Sequence, residues 1–289
     1  MSALRIAVGI ATTGRPAILA ATLAHLAAQT RPPDRLLVCP ASPADIAGVP
    51  PGPAEVVPAP AAGLTAQRNR ILDAAAECDL VVFFDDDFLP APAWLARAEA
   101  LFLREPAVAA ATGAVIADGA QGPGLTPEQA HALLAADHGG AGLRDVTNAY
   151  GCDMALRLAT LRAHALRFDE RLPLYGWFED VDLTYRLRRH GRVVRDDSMR
   201  GVHLGTKQGR TPGRRLGYSQ VANPLHLMRT GGCPPGKALS FIARNLAMNL
   251  LRAPFPEPWA DRRGRLAGNL LALGDLLRFR LDPGRIVAL

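Results

Sequence analysis

Cysteine is scarce. The chain has four in 289 residues, Cys39, Cys78, Cys152 and Cys233, widely scattered and with no C-x-x-C pair. That pattern suggests neither a disulfide framework nor a zinc site and fits a reducing compartment. Aromatic residues make up only 6%, and no nucleic-acid-recognition motif with interleaved aromatics is found. Long apolar runs are also missing. The longest uncharged run near the start, from Pro16 to Thr30, contains His25 and is shorter than the roughly 20 residues of a membrane span. The opening "IAVGIATTGRP" is broken by Gly14, Arg15 and Pro16 and lacks the basic start of a secretory signal. These absences lead us to expect a soluble, cytoplasmic protein.

What is present is a foldable composition, 49% hydrophobic and 21% charged, long enough for one large domain or one with a small appendage. The net charge of +6 is unevenly spread. Up to Tyr185 there are 13 Lys+Arg against 21 Asp+Glu, a net of −8; from Arg186 onward there are 20 against 6, a net of +14. The basic third calls for an anionic partner, with phosphate, nucleic acid and acidic lipid all compatible.

Apolar patterning predicts strands over Leu4–Thr12, "RLLVCP", Leu80–Phe84 and "AVAAATGAVI". Helices are predicted over Ala17–Gln29, Leu64–Glu77 with Thr65 as cap, and Trp94–Arg104. Strand and helix alternate, which implies an α/β fold with a mostly parallel sheet, where ligands bind beyond the carboxyl ends of the strands. Further on, "NAYGCDMALRLATL" reads as strand into helix and "YGWFEDVDLTYRLRRHG" as loop into helix. "RVVRD" and "GVHLG" read as two short strands, "GRTPGRRLGYSQ" as a basic mobile loop entering a helix, and the last fifty-odd residues as helical.

Four constellations carry chemistry. In "VVFFDDDFLP" a buried strand runs into Asp85, Asp86 and Asp87. In an extended segment Asp85 and Asp87 share a face, and hard divalent cations want such oxygens; a solvated helix-capping turn is the other reading. In "GWFEDVDLTYRL", Glu179 and Asp180 follow Trp177 and Phe178. A carboxylate beside aromatic surface suits a general base, although acids also favour a helix's first turn. His203 ends an apolar stretch and is either a metal ligand or a packed histidine. Lys207, Arg210, Arg214 and Arg215 follow it with Gly and Thr between, a pattern suited to phosphate oxygens or simply to solvent. Finally, Thr12 and Arg15 in "TTGRP" and Arg68 and Asn69 in "LTAQRNR" fall near one sheet edge.

These motifs, in this order, resemble the inverting nucleotide-sugar glycosyltransferases of family 2 from bacteria, and the likeness spans nearly the whole chain. It implies a GT-A fold, a Rossmann-like mixed sheet flanked by helices. Residues 1–215 would be the catalytic domain and 216–289 a helical extension packed on it. The resemblance implies Mn²⁺ or Mg²⁺ held by Asp87, Asp85 and His203. It makes Asp180, of the Glu179–Asp180 pair, the general base. Thr12, Arg15, Arg68, Asp85 and Asp86 become donor contacts, and the basic loop with Lys207 and Arg210 closes over the diphosphate. Gly151, Asp153 and Trp177 would border the acceptor, a glycan or lipid-linked glycan of polysaccharide synthesis. One departure is the stretch "LLVCPASPAD", where many members place an aspartate that holds the base; Ser42 or Asp45 is left to substitute.

A sugar-phosphate nucleotidyltransferase is the enzymatic alternative, but "TTGRPAIL" lacks its Gly-rich basic loop; a basic nucleic-acid-binding protein is the other. The segment "GKALSFIARNLAMNLLRAPF" combines Lys237, Arg244 and Arg252 with Leu239, Phe241, Ile242, Leu246, Met248, Leu250 and Leu251. It suggests peripheral contact with the inner face of the plasma membrane, against packing on the protein body or a homodimer built on these helices.

Overall fold

The computed structural model describes residues 3–50, 52–209 and 211–289. Its centre is a sheet of nine strands: β1 (Ile6–Thr12), β2 (Arg35–Pro40), β3 (Ala54–Val56), β4 (Leu80–Phe84), β5 (Phe88–Pro90), β6 (Val108–Asp118), β7 (Leu143–Asp145), β8 (Asp153–Arg157) and β9 (Arg192–His203). The order is β3-β2-β1-β4-β8-β6-β9-β5, with β7 pairing β9. The strands β3, β2, β1, β4, β6 and β9 run one way, and β8, β5 and β7 run against them. The expected mixed, mostly parallel α/β sheet is therefore present.

Alternation along the strands fills a core on each face. Ile6, Val8 and Ile10 of β1 and Val82 and Phe84 of β4 pack with Leu19, Trp94 and Leu101. Those belong to α1 (Pro16–Leu26) and α3 (Trp94–Arg104). Ala7, Val81 and Phe83 point the other way, onto Ile71 and Leu183 of α2 (Leu64–Ala74) and α6 (Glu179–Leu187). The short α5 (Leu158–Ala163) adds Leu158 and Leu161 to this layer, and α4 (Pro127–Ala136) packs Ala130 separately against Leu89, Val202 and Leu204. Three helices follow: α7 (Gly213–Thr230), α8 (Pro235–Arg252) and α9 (Arg262–Leu277). A Cβ on Gly217 would lie 2.0 Å from Arg265 O, and one on Gly268 2.1 Å from Arg214 O. Only glycine allows α7 and α9 to approach so closely.

The structure corrects three expectations. "RVVRD" and "GVHLG" belong to one twelve-residue strand, β9. The polar step between them is absorbed by register shifts against β6. Thr65 does not cap α2: Gly63 holds that position, and Thr65 Oγ1 donates instead to Leu172 O at 3.1 Å. Arg214 and Arg215 lie within α7 and not in a loop.

Candidate active site

The carboxyl ends of β1, β4, β6 and β9 meet the start of the antiparallel β8 at one edge of the sheet. Thr12, Asp85, Asp118 and His203 arrive there as last or next residues of strands, and Gly151, Cys152 and Asp153 arrive at the head of one.

The three consecutive aspartates divide. Asp86 has no exposed surface; its Oδ2 accepts from Thr12 Oγ1 at 2.6 Å and Arg15 Nε at 3.0 Å, and its Oδ1 lies 2.7 Å from Arg15 Nη2. Burial raises this carboxyl to about 7, with Arg15 and Thr12 pulling it down. Asp87 Oδ2 accepts from Thr206 N at 2.8 Å and from Arg15 Nη1 at 3.3 Å. Asp87 Oδ1 is buried without a hydrogen bond, and His203 Nε2 lies 3.4 Å away. Burial opposes ionisation of Asp87, but His203 and Arg15 outweigh it and hold its carboxyl well below the usual range. Asp85 is the most open of the three; its Oδ1 accepts from Arg68 Nη2 at 3.1 Å, and its Oδ2 lies 4.0 Å from His203 Nε2.

His203 is oriented from behind. Its Nδ1 sits 2.9 Å from Asp118 Oδ1, and Tyr150 Oη donates to the other Asp118 oxygen at 3.0 Å. Burial disfavours the imidazolium, yet Asp118, Asp87 and Asp85 raise it to about 10. The carboxylates thus stabilise a positive charge where His203 Nε2 faces them. Asp85, Asp87 and His203 offer ligand atoms within 4.8 Å of one another. The unbonded Asp87 oxygen, the two hard carboxylates and the fixed imidazole all fit a divalent cation such as Mn²⁺ or Mg²⁺.

A second acidic pair lies beyond Arg68, which is only 2% exposed. Arg68 Nη1 donates to Glu179 Oε1 at 2.6 Å, and Nη2 donates to Asp85 Oδ1 and, at 2.8 Å, to Gly151 O. Its guanidinium lies over the rings of Phe83 and Phe168 at 5.4 and 5.6 Å. Asp180 is half-buried; its Oδ2 accepts from Gly151 N at 2.9 Å and its Oδ1 from Val181 N at 2.7 Å. A Cβ at Gly151 would stand 3.2 Å from Glu179 Oε1 and 3.3 Å from Asp180 Cβ, so glycine lets this backbone reach the pair. Phe178, at the N-cap of α6, has φ of 80°, a strained conformation for a bulky residue. Burial and the neighbouring Asp180 charge push Glu179 up to about 8 against the pull of Arg68. Burial also raises Asp180, opposed by its two backbone donors, Arg68 and Lys237.

Several expected contacts land elsewhere. Asp86 and Asp153 have no exposed surface and cannot line a substrate. Asp153 accepts from Thr112 Oγ1 at 2.5 Å and from Gly113 N at 2.8 Å. Thr12 and Arg68 are each 2% exposed and act from behind the site. Asn69 donates to Phe168 O at 3.0 Å, a structural bond. Lys207 Nζ donates to Gly119 O and Ala120 O at 2.9 and 3.2 Å; Arg210 lies outside the described residues. Trp177 stacks on Phe178 at 4.2 Å and edges onto Phe241 of α8 at 6.4 Å. Asp45 is 6% exposed and gives its oxygens to Ser42 N and Oγ and to Gly14 N. Asp45 therefore braces the first loop, while Ser42 stays exposed beside it.

Sequence reasoning missed Asp118 and Tyr150, which hold His203, and Lys237, whose Nζ donates to Asn148 Oδ1 in the loop before Gly151. Asp118 had one available signal: it is the acid at the end of an apolar strand, as Asp85 is.

The architecture is that of the GT-A glycosyltransferases. It is similar to *S. aureus* TarS residues 1–349 (TM-score 0.51, 14% identity, 92% of this chain and 71% of that one). It is similar to GalNAc-T7, solved with UDP, GalNAc and Mn²⁺ (0.57, 14%, 89% and 59%). It is also similar to the mannosyltransferase PcManGT from Pyrobaculum calidifontis, solved with GDP-Man and Mn²⁺ (0.51, 16%, 100% and 86%). No curated protein matches the chain. Residues 4–195 match the model of glycosyltransferase like family 2, and the chain belongs to that family. The nucleotidyltransferase alternative falls with that membership.

Proposed function

We propose that the protein moves a sugar from a nucleoside-diphosphate sugar to an acceptor hydroxyl, with inversion at the anomeric carbon and dependence on Mn²⁺ or Mg²⁺. The observation that carries this reading is the pairing of two unlike acidic clusters through one buried arginine: Arg68 bonds both Asp85 and Glu179. A cation at Asp85, Asp87 and His203 supplies charge neutralisation for the departing diphosphate when bound. Asp180, aimed by Gly151 N, takes the acceptor hydroxyl proton. The new oxygen–carbon bond forms as the bond to the diphosphate breaks, and the nucleoside diphosphate leaves with the electron pair. One displacement from the opposite face inverts the centre.

Arg15 and Thr12 fix Asp86, and through it the turn that presents Asp85 and Asp87. Thr206 already donates to Asp87, and the loop that begins with Thr206 and Lys207 covers the diphosphate and excludes water. Gly151 and Trp177 border the acceptor, with Asp153 supporting from below. Residues 1–215 form the catalytic unit and 216–289 an extension packed on it. The acceptor is a glycan of polysaccharide or lipid-linked glycan synthesis, met in the cytoplasm or at the inner face of the plasma membrane.

The test is a panel of UDP-, GDP- and dTDP-sugars screened for thermal stabilisation with and without Mn²⁺. One nucleotide class should raise the melting temperature by mass action, and only with metal. No shift with any donor would refute the reading.

A further inference from the structure

Ten of the fourteen large apolar residues that stand exposed among the described residues lie from Leu239 onward. α8 and α9 both lie against α7 and each other through one face. On α8 that face is Ala238, Phe241, Ile242, Asn245 and Asn249; Asn249 Nδ2 donates to Gln220 of α7 at 2.9 Å and to Asn269 of α9 at 2.8 Å. The other face is uncovered. Met248 is 40%, Leu250 59% and Leu251 69% exposed, and Phe255 in the following turn is 68% exposed. At the far end of α9 Leu277 is 81% and Phe279 98% exposed.

Charge selects the occupant. α8 contains no acidic residue, and exposed Arg244 and Arg252 flank its apolar surface, as Arg278 and Arg280 flank Phe279. The 253–261 turn adds Glu257, paired with Arg252 and Arg262, but the face stays positive on balance, and a two-fold contact would bring two such positive faces together. An anionic bilayer surface complements both features: guanidinium groups meet headgroups while Leu and Phe enter the acyl boundary. No helix among the described residues is long and apolar enough to cross a membrane, so contact would lie in the interface.

We propose that the outer faces of α8 and α9, with the 253–261 turn, form a docking surface for an anionic lipid membrane. It goes beyond the glycosyl-transfer reading and does not depend on it.

The experiment is co-sedimentation of the full chain with vesicles of phosphatidylcholine alone, or with an equal part of phosphatidylglycerol, at low and moderate salt. Binding should require the anionic lipid and weaken as salt shortens the screening length to about 8 Å. Arg244→Gln with Arg252→Gln should weaken it about 30-fold, each cation near the surface contributing roughly fivefold. Leu251→Ser with Phe255→Ser should weaken it at least about tenfold. These side chains are exposed, so the fold should survive, and an unchanged melting temperature and circular-dichroism spectrum in each variant would confirm that. No sedimentation with anionic vesicles at low salt, or undiminished binding by both variants, would overturn the proposal. A concentration-dependent dimer in light scattering that Leu251→Ser with Phe255→Ser dissolves, without vesicle binding, would assign the face to a second copy and overturn it too.

Discussion

The two acidic clusters of the site are built alike in residue type and unlike in surroundings. Around Asp85, Asp86 and Asp87 stand Arg15, Arg68 and His203, and Asp87 is held anionic although buried. Glu179 accepts from Arg68 and from its own backbone N–H, and both it and Asp180 are raised toward the neutral form, chiefly by burial. Burial raises Asp85 and Asp86 as it raises the second pair, so in the first cluster it is Asp87 that keeps a negative charge. The second keeps a carboxylate for which a proton is welcome. Chemistry that neutralises a leaving diphosphate and deprotonates an incoming hydroxyl needs both at once. Arg68 keeps the two sets of charge from being mutually independent.

The comparison breaks most sharply at Asp87. Asp87→Ala should lower turnover by more than about 10³-fold and abolish the Mn²⁺ dependence of UDP binding, because it removes the deepest cation anchor. Retention of that dependence in calorimetry would put the metal elsewhere. Asp180→Asn keeps the Gly151 contact geometry but cannot take a proton. Turnover should fall roughly 10²–10⁴-fold while the donor dissociation constant holds, which single-turnover kinetics would separate. Near-normal turnover would transfer the role to Glu179. Asp118→Asn spares both clusters and loosens only the imidazole behind them. The Mn²⁺ affinity, read by titration in the presence of UDP, should weaken about 10–100-fold; an unchanged affinity would remove Asp118 from the centre.

Strands β1, β2, β4, β6 and β8, the helices α1 to α3 and the members of both clusters were legible because buried strands are apolar runs and their ends expose whatever follows; the three-residue β5 and β7 were not. The alternation that puts Asp85 and Asp87 on one face was legible as well. That Thr12 and Arg15 bury Asp86 on the other was not. Arg68 read as a donor contact, and its pairing with Glu179, 111 residues away, went unseen because local patterns do not report such pairing. Lys207 read as a free phosphate donor for the same reason, with its carbonyl partners more than eighty residues back. The apolar stripe of α8 read equally as core or surface. The structure divides it, burying Ala238 and Asn249 and exposing Leu250 and Leu251, because α7 covers only one side.

The smallest effect lies in pH dependence, and it sharpens what the base-side pair does. Glu179 sits at about 8 and Asp180 is raised beside it, so the two carboxyls titrate as a unit whose protons are shared. Protonation removes the base, so turnover should fall as pH drops through that range. Glu179→Gln frees Arg68 Nη1 from its 2.6 Å bond, and Arg68 already favours the Asp180 carboxylate against its burial. The acid limb of Asp180 should therefore move to lower pH, with the plateau rate altered only a few-fold. The fold itself should respond in the same sense. A carboxyl raised in the folded state stabilises it fully below the unfolded value, and that contribution is lost as pH rises through about 8. Removing it should therefore flatten the decline in melting temperature between mildly acidic and mildly alkaline pH. An acid limb that stays in place in Glu179→Gln would show that Asp180 titrates without reference to its neighbour, and the two clusters would then differ only in their cations.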